Sequence, residues 1–287
     1  MKPVRDFFEL IKFEHTIFAL PFAYLGMLLA AGGWPTWSQF TWITVAMAAA
    51  RTVAMGFNRI ADRWVDARNP RTSKRPLVTG TIGMRTAWGG TLLASLALIL
   101  AAWQLGPLPL RLLPGAFIFL LGYSFTKRFT WLTHFILGFT DGLAPLGAWA
   151  AIRGSLFTAA DLPAWILSAV VTFWIGGFDL IYACQDVAHD RQEGLFSVPA
   201  LYGIPTALRL SEISHVITLL LLVLLGAALG LGWPYWLGIG VTTVLLAWEH
   251  VLVRPDDLSR IDIAFFNINS YISLTLFLSI LGAIYLS

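Results

Sequence analysis

The sequence consists almost entirely of apolar stretches, each about as long as a segment that crosses a lipid bilayer. Only 12% of its 287 residues are charged, and 57% are hydrophobic. A soluble globular domain carries about 25% charged residues, so most of this surface faces something other than water. A bilayer-spanning helix needs about 20 predominantly apolar residues. We therefore predict an all-α integral membrane protein, in which residues 1–287 form a single transmembrane domain without a separate soluble domain.

Breaks between the apolar stretches divide the chain into nine predicted transmembrane helices around a central cavity. Clusters of Gly, Pro and Trp alternate with charged loops at these breaks. The predicted spans are 16–34, 40–60, 86–105, 108–125, 133–152, 162–184, 206–231, 234–251 and 262–286. The break at 105–108 is the shortest, and eight spans are the alternative.

Lysine and arginine are distributed unevenly between the two predicted membrane faces. Sixteen of the 19 lie on the side of the N-terminus, Arg111 and Arg153 lie on the other side, and Arg51 lies within the second span. Basic residues concentrate in cytoplasmic loops, so we predict that the N-terminus and the cavity opening face the cytoplasm. This placement explains the pI of about 9.2 without a nucleic-acid partner. The single cysteine, Cys184, excludes an internal disulfide bond.

The first acidic motif lies where the second span ends. Asn58, Asp62 and Asp66 are four residues apart, and each step of four turns about 40° and rises about 6 Å along a helix. Their side chains are therefore expected to form one stripe. Mg²⁺ binds proteins through one or two carboxylates together with substrate phosphates, so the stripe predicts a site for a magnesium diphosphate. The alternative is ordinary charge pairing at a helix end, Asp62 with Arg59 or Asp66 with Arg63.

The cations within and after this motif support the diphosphate interpretation. A bound diphosphate needs neighbouring positive charges, and residues 63–75 are rich in them. The candidates are Arg63, Arg68, Arg71, Lys74 and Arg75.

The second acidic motif lies where the sixth span ends. Asp179, Tyr182, Asp186 and Asp190 share one helical stripe, because 7 and 11 residues are close to two and three turns. Asp179 lies within the apolar span, where a carboxylate normally faces a polar cavity or a partner. The alternative is that Asp179 pairs with an arginine such as Arg51 and only joins helices.

Both acidic motifs end on the same predicted side of the membrane. Clustered carboxylates repel one another unless cations lie between them. We therefore expect the two motifs to hold two metal ions across a shared diphosphate, with Arg191 next to the second motif.

Other polar residues within the spans are candidates for substrate contacts. Tyr123 and Lys127 are one helical turn apart at the end of the fourth span and are expected to bind the departing diphosphate. Snorkelling of Lys127 to the interface is the alternative. His134 and Asp141 lie two turns apart on the fifth span, facing either a cavity or another helix. Arg51 lies two turns before Asn58, and a buried guanidinium needs an anion, for which we predict the carboxylate of an acceptor.

These motifs together resemble those of the UbiA superfamily of intramembrane prenyltransferases. The family pattern Asn-x-x-x-Asp-x-x-x-Asp matches Asn58, Asp62 and Asp66, and its Asp-x-x-x-Asp pattern matches Asp186 and Asp190. Tyr123 and Lys127 match the family's Tyr-x-x-x-Lys pair. The resemblance covers the whole chain and implies that the five residues of the two acidic patterns hold Mg²⁺.

The resemblance also implies the reaction and its setting. The substrates would be a polyprenyl diphosphate and an aromatic acid, 4-hydroxybenzoate, in ubiquinone biosynthesis, at the inner membrane of a bacterium. Membrane lipid surrounds such an enzyme, and no obligatory protein partner is predicted. Asn58 is followed by Arg59, where many relatives have Asp, so prenylation of 1,4-dihydroxy-6-naphthoate in menaquinone biosynthesis is the alternative. A haem- or chlorophyll-prenylating enzyme and, from another class, a secondary transporter are the other hypotheses.

Overall fold

Long α-helices account for most of the chain that the structure describes. The structure is a computed structural model, and it describes residue 10 and residues 14–286, with side chains at position 10 and from position 20 onward. The structure is 81% helical, and the residues that it describes contain no β-strand. The predicted all-α fold class is therefore confirmed. The basic residues Lys2, Arg5 and Lys12, on which the predicted orientation partly rests, lie outside the described residues.

The described chain forms nine long helices joined by short loops or by short helices. The long helices are α1 (Glu14–Ala31), α2 (Trp37–Ala61), α4 (Met84–Leu105), α5 (Pro107–Thr126), α6 (Thr133–Arg153), α7 (Leu162–Ala183), α10 (Ile204–Leu229), α11 (Trp233–Leu252) and α12 (Asn269–Tyr285). The short ones are α3 (Arg63–Arg68), α8 (Val187–Gln192) and α9 (Val198–Tyr202), together with 3₁₀ turns at Ala159–Asp161 and Cys184–Asp186 and a π-helical turn at Ile263–Ile268.

By length and composition, eight helical segments of the described chain are suited to cross a membrane. The first helix contributes only a shorter apolar stretch, Leu20–Ala31. A multi-pass membrane protein is thus supported, while the count of nine spans, the inside N-terminus and the cytoplasmic opening stay predictions.

Local sequence explains where several of these helices begin and end. Thr36 caps α2, because its hydroxyl accepts the Gln39 amide while the Gln39 side chain accepts the Thr36 amide. The short predicted break at 105–108 is real. Gly106 adopts a φ of 120°, which favours glycine, and Pro107 then starts α5 at a position where its missing N–H costs nothing.

Small residues allow the central helices to approach closely. Helix α1 packs on α6, α6 on α7, α7 on α10, and α12 returns to α1, so the bundle closes on itself. Gly26 of α1 lies against the backbone of Pro145 in α6. A Cβ atom at Gly142 of α6 would lie 2.8 Å from the carbonyl oxygen of Ser168 in α7. Close backbone approach at small residues is typical of helix packing in membranes.

The contact at Gly142 gives a stability prediction. We expect Gly142→Leu to lower the free energy of unfolding by about 1–3 kcal/mol, because the added side chain overpacks the α6–α7 contact. The measurement is reversible denaturation of the purified protein in detergent micelles. Gly240→Leu on α11 is the matched control, because a Cβ atom there would meet no described atom within 4 Å. Equal stability of the two variants would contradict the packing role of Gly142.

Candidate active site

The first acidic motif lies at a bend between two helices. Helix α2 ends at Ala61, and Asp62 adopts a φ of −97° and a ψ of 6° before α3 begins at Arg63. The backbone bonds continue through the bend, because the Asp62 amide donates to Asn58 and the Asp66 amide donates to Asp62. The predicted stripe of side chains is therefore bent. The second motif has a similar form, with the 3₁₀ turn Cys184–Asp186 between α7 and α8.

The Asp62 carboxylate accepts hydrogen bonds from two side chains, one on α2 and one just after α5. Its Oδ2 accepts from the side-chain Nδ2 of Asn58 at 2.8 Å, and its Oδ1 accepts from the Arg128 guanidinium at 3.1 Å. Burial raises the pKa of the Asp62 carboxyl, the nearby Asp66 raises it further, and Arg128 acts in the opposite direction. The predicted alternative, a pair between Asp62 and Arg59, is not the contact that forms.

Asp66 is paired with a cation from the loop that follows α3. Arg75 Nη1 lies 2.6 Å from both carboxylate oxygens of Asp66. Asp66 is buried, and its main-chain oxygen also accepts from the Thr72 hydroxyl at 3.0 Å. The loop therefore folds back over the end of α2, and the alternative pair with Arg63 is replaced by Arg75.

Asp186 joins the second motif to this same loop. Arg71 donates to its Oδ1 at 3.0 Å and to its Oδ2 at 2.5 Å, and Asn69 donates to Oδ1 at 2.9 Å. Arg71 also donates to the Tyr182 hydroxyl at 2.9 Å. The guanidinium thus bridges a carboxylate and a phenol of the second motif from a loop more than a hundred residues away in sequence.

Asp190 lies at the deepest point of the polar cluster. It is 1% exposed, and its Oδ2 accepts from Ser197 at 2.6 Å. Lys127 Nζ lies 2.9 Å from Oδ1, although this oxygen has no hydrogen bond of good geometry among the described residues. The predicted cation Lys127 therefore faces the second acidic motif.

These residues surround one small polar cavity of about 160 Å³. Its lining includes four carboxylates, Asp62, Asp66, Asp186 and Asp190, and five basic side chains, Arg59, Arg71, Arg75, Lys127 and Arg128. Residues of both acidic motifs thus line one cavity, as expected from their location on the same predicted side of the membrane. Among the described residues, no group of three or more acidic, histidine or cysteine side chains is placed to hold a metal ion by itself.

A much larger and mostly apolar cavity, of about 1010 Å³, adjoins the polar one. The two share five lining residues, Asn58, Arg59, Arg71, Thr72 and Arg75. Six other polar residues that the sequence singled out also line the larger cavity, namely Arg51, Lys74, Tyr123, Asp141, Asp179 and Tyr182. The Tyr123 hydroxyl donates to the main-chain oxygen of Ala54 at 3.2 Å, which fixes the phenol at the cavity wall.

The polar side-chain contacts at this cavity differ from the predicted alternative. Arg51 faces Asp141 at 3.5 Å. Asp179 instead accepts from His134 Nδ1 at 2.7 Å, and His134 Nε2 accepts the Val198 amide at 3.3 Å. A pair between Asp179 and Arg51 was the wrong alternative, because His134 occupies that side of Asp179.

Three predicted substrate contacts, Arg63, Arg68 and Arg191, lie away from both cavities. The guanidinium of Arg63 is over the ring of its neighbour Trp64, 5.4 Å from the ring centroid. Arg191 donates to the main-chain oxygen of Ala200 at 2.9 Å. Arg68 Nη2 lies 2.7 Å from Glu193 Oε2. None of the three side chains lines either of the two cavities described above.

The structure adds residues that sequence spacing did not select. Asn69 and Arg128 each contact a motif carboxylate, and Phe265 of the π-helical turn stacks on Tyr182 with ring centroids 4.1 Å apart. The dense run of cations around Arg71 was a usable signal. Phe265 carried none, because an apolar residue in an apolar span is indistinguishable from its neighbours.

Comparisons with known proteins agree with this architecture. Residues 19–271 match the model of the UbiA prenyltransferase family. The 4-hydroxybenzoate octaprenyltransferase of Xanthomonas campestris is 33% identical over 260 residues, which is 89% of this chain and 83% of the relative.

Solved structures of two archaeal proteins share the fold. The apo structure of a UbiA homologue from Aeropyrum pernix has 33% identity and a TM-score of 0.85, covering 93% of this chain and 97% of that one. A UbiA homologue from Archaeoglobus fulgidus, solved with GPP and Mg²⁺, has 18% identity and a TM-score of 0.72, covering 96% and 99%.

The fold and the polar site together are those of a membrane-embedded enzyme. The chain belongs to the UbiA prenyltransferase family. The predicted family resemblance and the prediction of a prenyltransferase are confirmed, and the secondary-transporter hypothesis is replaced.

The bridge between Arg71 and Asp186 gives a prediction about coupling. We expect Arg71→Ala and Asp186→Ala to be non-additive, with a coupling free energy of about 0.5–3 kcal/mol, because the two side chains share two hydrogen bonds. The measurement is the free energy of unfolding of both single variants and the double variant in micelles. Arg63→Ala combined with Asp186→Ala is the control pair and should be additive. Additivity of the Arg71 pair would rule out the bridge.

Proposed function

We propose that the protein transfers a polyprenyl group from a polyprenyl diphosphate to 4-hydroxybenzoate, with Mg²⁺ as cofactor. One observation carries the proposal: four carboxylates and five basic side chains surround a small cavity that adjoins a large apolar one. A prenyl diphosphate has this same division into a highly charged head and a long apolar chain. The alternative acceptor is 1,4-dihydroxy-6-naphthoate, and an acceptor screen distinguishes the two and tests haem and chlorophyll precursors.

The donor set of the polar cavity fits magnesium. Mg²⁺ prefers oxygen ligands and is commonly held by one or two carboxylates plus substrate phosphates. Asp62, Asp66, Asp186 and Asp190, with Asn58, would hold it, and the oxygen of Asp190 without a well-formed hydrogen bond supports this. Bound magnesium supplies electrostatic stabilisation of the leaving diphosphate.

The basic residues of the cavity would bind and orient the diphosphate. Arg71 and Arg75 line both cavities. They would therefore lie where the charged head of the donor joins its prenyl chain. Lys127 lies in the polar cavity, and Lys74 and Tyr123 line the larger one. Donors held in place before the reaction stabilise charge as it develops on the leaving group.

Arg51 is placed to bind the acceptor. Its guanidinium lines the large cavity, its only described ion pair is the 3.5 Å contact with Asp141, and its Nε is buried without a hydrogen-bond partner in the described residues. A buried guanidinium with an unused donor favours an anionic ligand. The carboxylate of an aromatic acid meets this requirement.

In the proposed reaction the bond between prenyl C1 and the diphosphate oxygen breaks, and the acceptor ring forms a new carbon–carbon bond with C1. The ring then loses a proton and regains aromaticity. The apolar walls of the cavity would exclude water, which otherwise captures an allylic cation. We place this reaction at the cytoplasmic face of a bacterial inner membrane, in a single domain of nine spans, without an obligatory protein partner.

Metal dependence and the carboxylates are tested together. We expect EDTA to abolish prenyl transfer and Mg²⁺ to restore it. Asp66→Asn and Asp186→Asn should each lower kcat/KM by on the order of 10² or more, because each removes a carboxylate that would hold the Mg²⁺ needed to neutralise the diphosphate. The assay follows a radiolabelled prenyl group in purified proteoliposomes.

The control for these variants is Asp256→Asn, which changes an exposed carboxylate of the loop after α11. Its kcat/KM should stay within about twofold of the wild type, as is usual for exposed positions. Full activity of Asp66→Asn and Asp186→Asn, or activity that EDTA leaves intact, would exclude the proposed metal site.

The acceptor role of Arg51 has its own signature in the kinetic constants. We expect Arg51→Ala to raise the KM for the aromatic acid by about tenfold or more, equivalent to about 1.4 kcal/mol of lost binding, and to change the KM for the prenyl diphosphate little. Steady-state kinetics with each substrate varied in turn measures both. The opposite pattern would assign Arg51 to the diphosphate.

A further inference from the structure

The large cavity continues well beyond the polar residues at its mouth. Tyr123 and Asp141 line it near that mouth, and Phe157 and Trp165 line it beyond the far end of α6. The walls of the cavity come mainly from α2, α5 and α6, with residues of α1, α4 and α7. The cavity is therefore elongated, with a charged end and an apolar end. An extended apolar chain is the ligand that matches this shape.

Two glycines, one on α5 and one on α6, line this cavity part of the way along it. Gly115 of α5 is eight residues from Tyr123, or about 12 Å of helix, and Gly147 of α6 is six residues from Asp141, or about 9 Å. Both line the cavity. A Cβ atom built at either position would meet no described atom within 4 Å. Any side chain at these positions would therefore occupy cavity space.

Two other glycines of α6, the helix that carries Gly147, have a different environment. Gly138 and Gly142 of α6 lie against the backbone of α7, so helix packing accounts for them. Packing does not account for Gly147, because a Cβ atom there would meet no described atom within 4 Å. What a side chain at Gly147 would change is the free cross-section of the cavity.

We infer that Gly115 and Gly147 determine how long a prenyl chain the enzyme accepts. Without side chains at these two positions, the cavity stays open beyond the part near Tyr123 and Asp141. This inference rests on the proposed function, because it takes the occupant of the cavity to be the prenyl chain of the donor. A dimethylallyl group is shorter than the distance from the mouth to either glycine. A polyprenyl chain that extends to the far end must pass these positions.

The test compares donors of different length on the same variant. Gly115→Leu and Gly147→Leu are assayed with dimethylallyl, geranyl, farnesyl, geranylgeranyl and octaprenyl diphosphates. The readout is the ratio of kcat/KM for each donor to that for the dimethylallyl donor. We expect this ratio to fall by about tenfold or more for the longest donors, as overpacking of a filled cavity predicts. The alanine variants should show a smaller fall at the same chain length.

Two leucine variants of glycines outside the cavity serve as matched controls. Gly89 of α4 and Gly240 of α11 have the same open surroundings within the described chain but do not line the cavity. Their ratios should equal the wild-type ratio. If a leucine variant at the cavity positions does not fold, as judged by its thermal unfolding in micelles, the alanine variant at the same position decides the result.

The outcomes separate this inference from the proposed function. A selective loss of long donors in the Gly115 or Gly147 variants supports the inference. Unchanged ratios in folded variants of an active enzyme overturn it and leave the proposed function intact. A wild-type protein that transfers no prenyl group from any donor overturns both.

Discussion

Four carboxylates meet at one end of this helical bundle, and they repel one another unless cations lie between them. The chain supplies those cations from separate segments: Arg75 and Arg71 from the loop after α3, Lys127 from the end of α5, and Arg128 beside it. Three of the four pairs join elements that are distant in sequence, whereas Arg75 and Asp66 are nine residues apart. The charge balance of the site is thus also what closes the loop after α3 over the end of the bundle.

The same charge balance explains the position of the site at the end of the helices. A buried ion pair loses hydration that its own attraction only partly replaces, so a dense polar cluster is unfavourable deep in an apolar bundle. At the end of the bundle, Arg71 and Arg128 remain partly exposed while Asp186 and Asp190 are buried behind them. The apolar cavity can then begin directly below the charges, which is the arrangement that a diphosphate with a long chain requires.

The two acidic motifs are built in a similar way. In each motif, a long helix is followed by a break in α-helical geometry and then by a short helix. The break is Asp62 between α2 and α3, and the 3₁₀ turn Cys184–Asp186 between α7 and α8. The later carboxylate of each motif lines the shared cavity, whereas Arg63 and Arg191 do not. An ideal straight helix would have left the two motifs as separate stripes on two separate helices.

The sequence by itself determined the class of fold and the identity of the acidic motifs. Apolar length, the scarcity of charge and the spacing of Asn58, Asp62 and Asp66 are local properties, and local properties are readable from one chain. Only the tertiary structure decided which partners meet. Arg75 replaces the neighbouring Arg63 beside Asp66, and His134 replaces Arg51 beside Asp179. It also decided that Gly115 and Gly147 face an open cavity. These choices depend on how distant helices pack, and the spacing of residues along one helix carries no information about the helix that faces it.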